Sequence, residues 1–409
     1  MTVDPAILSA LLSQVEQQQA FLAELVRMPS DNPPGDCARH AEVTKDLIER
    51  EGFDVTAHPV PADLCRAHGM VSATNLVLRR HYGNGPTIAL NAHGDVVPPG
   101  EGWTADPYGA AVRDGVMYGR GVAVSKSDIA TYLFALKALD TIADRLTGTV
   151  EIHVTYDEET GGAIGPKWLL DEAITAPDLA ISAGFSYAVV TAHNGCLHLE
   201  VELRGRSAHA ADPSSGADAL EAASSVLSEL YAHRRTLAGK VSAIAGIGAP
   251  NLVVGLINGG INTNVVPDKV VLRLDRRIIP EEDAGDVEAG LRWIITEAAA
   301  SVPGVAVDVR QVMLARPLTP LPGSERLIDL LQRHAQDVLG VPVTTSGVPL
   351  YTDARHYAER GIPTVLYGAG PRSFLEANAH RADEKLLLED LTAATRVMAA
   401  TLADLLQPA

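Results

Sequence analysis

The chain has 409 residues, which at roughly 150 residues per domain is more than one domain and fewer than four. Its 33 Lys and Arg against 51 Asp and Glu leave a formal charge of −18, an acid surplus that repels phosphate backbones and anionic lipid and argues against nucleic acid or a membrane surface as a partner. With 46% hydrophobic and 21% charged residues the composition is globular, not that of a disordered chain, and no apolar run approaches the roughly 18–20 residues of a membrane span. The start, Met1-Thr2-Val3-Asp4-Pro5, lacks the basic and apolar segments of a secretory signal, and Cys37, Cys65 and Cys196 show no CxxC spacing; a cytoplasmic protein without a disulfide framework is expected.

Apolar residues at helical spacing predict a helix from Pro5 to Met28, a Pro- and Gly-rich loop over Ser30–Asp36, and a second helix from Cys37 to a C-cap at Gly52. Strand-like runs follow at Asn75–Arg79, Thr87–Asn91, Thr149–Tyr156 and Leu179–Ile181, with a helix over Ser125–Leu139. Strands alternating with helices predict a mostly parallel sheet with helices on both faces. Beyond Gly195 the pattern changes. Strands at Leu197–Leu203, Asn251–Ile257, Lys269–Arg277 and Val305–Arg310 enclose helices at Gly216–His233 and Asp283–Ala299, the split βαβ order of a small α+β, ferredoxin-like domain. Alternation then returns with a helix over Ser324–Leu339 and a final helix ending at Leu406. The expected organisation is a discontinuous α/β domain, 1–194 and 312–409, interrupted by an α+β domain at 195–311.

Ligands of open α/β sheets sit at the carboxyl ends of strands, and donor residues cluster at such ends here. One strand runs into His93-Gly94-Asp95, another into Asp157-Glu158-Glu159, and Asn378-Ala379-His380 follows the last strand and its Gly368-Ala369-Gly370 turn. Histidine with carboxylate suits a zinc-like metal. Residue types alone leave that reading open beside the ordinary one of satisfied histidines and solvated acids.

A longer ordered series bears on the choice. It comprises His93-Gly94-Asp95-Val96-Val97-Pro98, Tyr118-Gly119-Arg120-Gly121 with Lys126, Asp157-Glu158-Glu159 with Gly161-Gly162, and Gly205-Arg206-Ser207-Ala208-His209. Asn264-Val265-Val266-Pro267-Asp268, Asp275-Arg276-Arg277, Thr352-Asp353-Ala354-Arg355 and Ala379-His380 continue it. In this order the series closely resembles the M20 metallopeptidase and amidohydrolase family, which includes the ArgE/DapE deacylases, aminoacylases and glutamate carboxypeptidases. The resemblance implies a catalytic metal-binding domain and an inserted lid or dimerisation domain through which a homodimer forms. It implies His93, Glu159 and His380 as metal ligands and Asp95 as the carboxylate that orients His93. Glu158 matches the general base, and His209 the histidine that stabilises the oxyanion. Asn264 and Arg277 match groups that hold the substrate.

Two positions depart from the family pattern. Val124 stands where a bridging aspartate is expected, and Gly184 or a neighbour where a further carboxylate ligand is expected. A paired-metal centre would then carry four positive charges with too few anions, at several kcal/mol per uncompensated ion. The expectation is therefore one weakly held divalent ion (zinc, manganese or cobalt) per subunit. Asp128, one helical turn beyond Val124, and His193, near the domain hinge, are the candidates for replacing the missing ligands. The function expected is hydrolysis of a C–N bond in a small carboxylated substrate, such as an N-acyl amino acid or a dipeptide. An aminohydrolase acting on an activated amine is an alternative, and a degenerate, metal-free binding or scaffold protein is another. A serine hydrolase is disfavoured, since no GxSxG elbow is present.

Overall fold

In the computed structural model, residues 3–408 are described, and they divide into two compact units. The first takes 3–191, Pro320–Ser346 and 352–408; the second takes Ala192–Thr319 and Gly347–Tyr351. The second unit extends beyond 195–311, with His193 bridged to Leu318 and the Gly347 N–H donating to the Ala245 carbonyl. Among the described residues no helix is long and apolar enough to cross a membrane.

The first unit is built on a mixed eight-stranded sheet in the order Val55–Pro59, Thr74–His81, Thr149–Thr155, Thr87–His93, Leu179–Ser182, Thr364–Leu366, Ala188–His193, Thr344–Val348. The four central strands run parallel to one another. Pairs on both sides of them are antiparallel, which corrects the expectation of a mostly parallel sheet. Of the central four, Thr149–Thr155 is legible from the alternation of Val150, Ile152 and Val154, and Thr87–His93 and Leu179–Ser182 from short apolar runs buried on both faces. Alternation along one of them shows the two layers: Ile88 and Leu90 join the main core, whereas Ala89 packs with Ala180, Leu170 and Tyr357 in a separate cluster. The main core also takes in the almost wholly buried helix Lys126–Leu139 and the last helix, Leu388–Leu406. The opening helical stretch is two helices, Pro5–Ser13 and Val15–Arg27, separated where Gln14 leaves helical φ at −107°.

Parallel register positions the site. His93 pairs with Thr155, so the segments leaving these strands, His93–Asp95 and Asp157–Glu159, emerge at one end of the sheet. Asn91 pairs with Ser182, and Ser182 with Leu366, which brings the turns at Gly184 and Gly368–Gly370 to the same end.

The loop that carries His380 is tied down by a buried ion pair. Arg120 Nη1 donates to Glu384 Oε2 at 2.6 Å, with both side chains 1% exposed. Glu384 Oε1 also accepts the Ala123 N–H, and Arg120 Nη2 donates to the carbonyls of Pro99 and Arg381.

The second unit has a four-stranded antiparallel sheet ordered Asn251–Gly259, Lys269–Ile278, Gly195–Arg204, Ala306–Ala315. Leu197, Leu199, Val201 and Leu203 point from one strand into a core shared with the helices Ala219–Leu237 and Ala284–Ala299. By strand alternation Cys196, His198, Glu200 and Glu202 occupy the other face.

Removing one partner of a dehydrated ion pair leaves a buried charge. Arg120→Met should therefore cost about 3–5 kcal/mol in urea-induced unfolding. A loss below about 1 kcal/mol, typical of a solvated pair, would show that the Arg120–Glu384 pair does not hold this loop.

Candidate active site

His93 ends a central strand with its ring held from behind. Nδ1 lies 2.9 Å from the Asp95 carbonyl oxygen and 3.4 Å from Asp95 Oδ1. Both are acceptors, so in the neutral ring the proton belongs on Nδ1 and the Nε2 lone pair faces forward. The His93 backbone is fixed by Ser125, whose Oγ accepts its N–H and donates to its carbonyl.

Asp95 is fully buried and organises more than His93. Its Oδ2 accepts the Asn32 side-chain amide at 3.0 Å and the Glu159 backbone N–H at 3.2 Å. One carboxylate therefore joins the first loop, the His93 turn and the acidic turn.

Forward of His93 Nε2 stand the two glutamates. Glu158 Oε2 is 4.0 Å away, and ligand atoms of His93, Glu158 and Glu159 all lie within 4.8 Å of one another. His380 lies outside that set and reaches only Glu159, with Nε2 3.4 Å from Glu159 Oε1 and its side chain 54% exposed. The structure thus joins His93 to Glu159 and Glu159 to His380. Glu158, expected as the base, stands inside the donor cluster itself.

The site is overloaded with acid. Burial pushes the Glu158 carboxyl well above the usual range, and repulsion from Glu159, Asp353 and Asp95 adds to this against the pull of His93. Asp353 is also fully buried and raised to about 6, chiefly by burial. Burial opposes protonation of His93, but the Asp95 hydrogen bond and the charge of Glu158 outweigh it and hold the ring well above its ordinary value. Imidazole and carboxylate donors that converge with surplus negative charge fit a divalent cation. Sequence reading matched Asp353 to a motif without giving it a role, and it did not single out Asn32. Neither is close in sequence to its partner, so spacing carried no signal for either.

The departures from the family pattern have different physical causes. Val124 is half-buried, packs against the main core and offers no donor atom. Gly184 has no room for any side chain, because a Cβ there would lie 2.8 Å from the backbone of Leu366 and Tyr367. Asp128 does not join the donor cluster. Its Oδ1 accepts the Ala369 N–H at 2.7 Å, and burial raises its carboxyl to about 8.

The remaining expected residues lie in the second unit. His193 Nδ1 lies 2.9 Å from the Asn194 carbonyl oxygen and 3.3 Å from the Leu318 backbone nitrogen. His209 and Asn264 stand on adjoining segments, linked by the His209–Val265 bridge and by the Ala210 N–H to the Asn264 carbonyl. His209 Nδ1 accepts the Ala211 N–H, so the neutral ring carries its proton on Nε2 as a donor. Arg277 Nε donates to Asp275 Oδ1 at 3.0 Å.

Comparison with known proteins agrees with this chemistry. A family model described as Peptidase family M20/M25/M40 matches residues 89–404. The chain is similar to the acetylornithine deacetylase of Pectobacterium atrosepticum, at 29% identity over 341 residues, 81% of this chain and 82% of that one. It is also similar to the succinyl-diaminopimelate desuccinylase of Gluconacetobacter diazotrophicus, at 28% identity over 390 residues, 93% of this chain and 94% of that one. The fold matches the M20 family metallo-carboxypeptidase Sso-CP2 from Sulfolobus solfataricus with a TM-score of 0.75 at 16% identity, covering 95% of this chain and 98% of that one. Human carnosine dipeptidase 1 gives 0.74 at 15%, covering 99% of each chain. With its motifs, its fold and most of its length in agreement, the chain belongs to peptidase family M20/M25/M40 and is a metal-dependent amidohydrolase.

Proposed function

We propose that the chain hydrolyses the amide bond of an N-acyl amino acid or a dipeptide, using one divalent cation held by His93, Glu159 and His380. The observation that carries this reading is the convergence of buried His93 with the partly exposed Glu158 and Glu159. The names of the acetylornithine and succinyl-diaminopimelate relatives support an acylated amino acid as substrate. Val124 without a donor atom, and Gly184 without space for one, support one ion over two.

When bound, such a cation supplies Lewis acidity that polarises a carbonyl and acidifies water. Glu158 takes the proton of the attacking water and returns it to the leaving nitrogen. Asp95 keeps the His93 ring in one tautomer and one orientation. His209 donates its Nε2 proton to the developing oxyanion, and Asn264 and Arg277 hold the substrate carboxylate. The roles of these three rest on their motif match and, for His209, on the tautomer set by the Ala211 N–H.

The second unit is also proposed as a lid and as the surface through which two copies pair. Its ferredoxin-like order supports this, as does its edge strand Asn251–Gly259, which leaves Leu256 62% and Ile257 55% exposed. An unpaired apolar edge invites a partner strand. Leu256→Lys should convert a dimer into a monomer in size-exclusion chromatography with light scattering. A parent chain that is already monomeric would remove this part of the reading.

Two substitutions separate base from ligand. Glu158→Gln should lower kcat on an N-acyl amino acid panel by roughly 10²–10⁴-fold while elemental analysis finds the same metal content. Glu159→Gln should instead lose one equivalent of bound metal together with activity. Activity unchanged in Glu158→Gln would refute the assigned base, and metal content unchanged in Glu159→Gln would refute the assigned ligand.

A further inference from the structure

A second donor cluster lies wholly within the second unit. Cys196 and His198 are two residues apart on Gly195–Arg204 and so share a face, and antiparallel register sets Asp275 directly opposite His198. Cys196 Sγ is 3.3 Å from His198 Nε2 and 3.4 Å from Asp275 Oδ2, and these last two atoms are 2.9 Å apart.

The geometry is that of a ligand set, not of a nucleophile relay. A Cys–His–Asp relay uses both ring nitrogens, one toward the thiol and one toward the carboxylate. Here sulfur and carboxylate meet the same nitrogen, so three donor atoms face one point. Around a tetrahedral zinc ion, with bonds of ~2.3 Å to sulfur and ~2.0–2.1 Å to nitrogen or oxygen, ligand atoms stand about 3.3–3.6 Å apart. Both edges to sulfur are already close to that. The nitrogen–oxygen edge must open by about 0.4 Å, and it joins side chains that are 39% and 29% exposed.

Charge prepares the same point. Asp275 Oδ1 is taken by Arg277, which leaves Oδ2 turned toward the sulfur. Arg277 stands opposite Cys196 in the register, so its guanidinium belongs to the same face.

We propose that Cys196, His198 and Asp275 form a zinc-class metal site on the face of the second unit's sheet turned away from its two helices. Thiolate and imidazole select a borderline-soft ion over magnesium or calcium. Three protein ligands leave a fourth position for water or an incoming ligand, the pattern of zinc sites that remain open.

The test uses the full chain, reduced and stripped of metal, titrated with Co(II) alone. A thiolate-to-cobalt charge-transfer band should grow to one equivalent per chain and be displaced by Zn(II). Cys196→Ser should abolish the band. Glu159→Gln, whose cluster contains no sulfur, should leave it intact, so the outcome is independent of the first unit's site. Because Cys196 is fully buried, His198→Gln provides a second measure, with Co(II) affinity at this band reduced at least roughly tenfold. Absence of the band in the folded parent chain, or its persistence in Cys196→Ser, would overturn the proposal. Equal affinity in His198→Gln would overturn it too.

Discussion

Negative charge confined where water barely reaches is the constraint around which the first unit is arranged. Asp95, Asp157 and Asp353 are almost fully buried, and Glu158 and Glu159 stand over them. Like charges this close raise one another's proton affinity and destabilise the fold unless they find donors or a cation. The fold supplies donors first. Asp95 takes the Asn32 amide and the Glu159 N–H, Asp157 the Ile164 N–H, and Asp353 the Thr155 hydroxyl. Glu158 and Glu159 remain to face His93 and His380. The acids nearest the sheet are thus engaged in structure, and those beyond them are left for chemistry.

Legibility followed the range over which each signal acts. Central strands such as Thr87–His93 carry an apolar run and could be read directly. Three-residue strands such as Ala111–Arg113, Val116–Tyr118 and Lys385–Leu387 carry too little pattern, and they form only because they pair with one another. The edge strand Val55–Pro59 has mostly exposed or half-buried residues and lacks the apolar run that marks a core strand. At the site, donors adjacent in sequence were visible as runs, but Asn32 and Asp353 reach it from distant segments. The second cluster was half visible: Cys196-Leu197-His198 puts two donors on one face of a strand, but only the antiparallel register brings in Asp275.

The two absent carboxylates illustrate how differently a family pattern can be abandoned. At Val124 the change is chemical, since the backbone still runs beside His93 through the Ser125 hydroxyl and only the side chain lacks a donor. At Gly184 the change is steric. The Tyr367 N–H donates to the Ser182 carbonyl at 3.0 Å, and this pairing holds the Leu366–Tyr367 backbone where a Cβ at 184 would lie. Asp128 completes the arrangement by accepting the Ala369 N–H from below, so an acid that the helix could have offered to an ion instead anchors the turn. A side chain at position 184 would require the backbone at 184 and at Leu366–Tyr367 to separate. In the proposed one-ion site, the absence of a second ion is therefore built into backbone packing at Gly184, whereas at Val124 it depends on a single side chain.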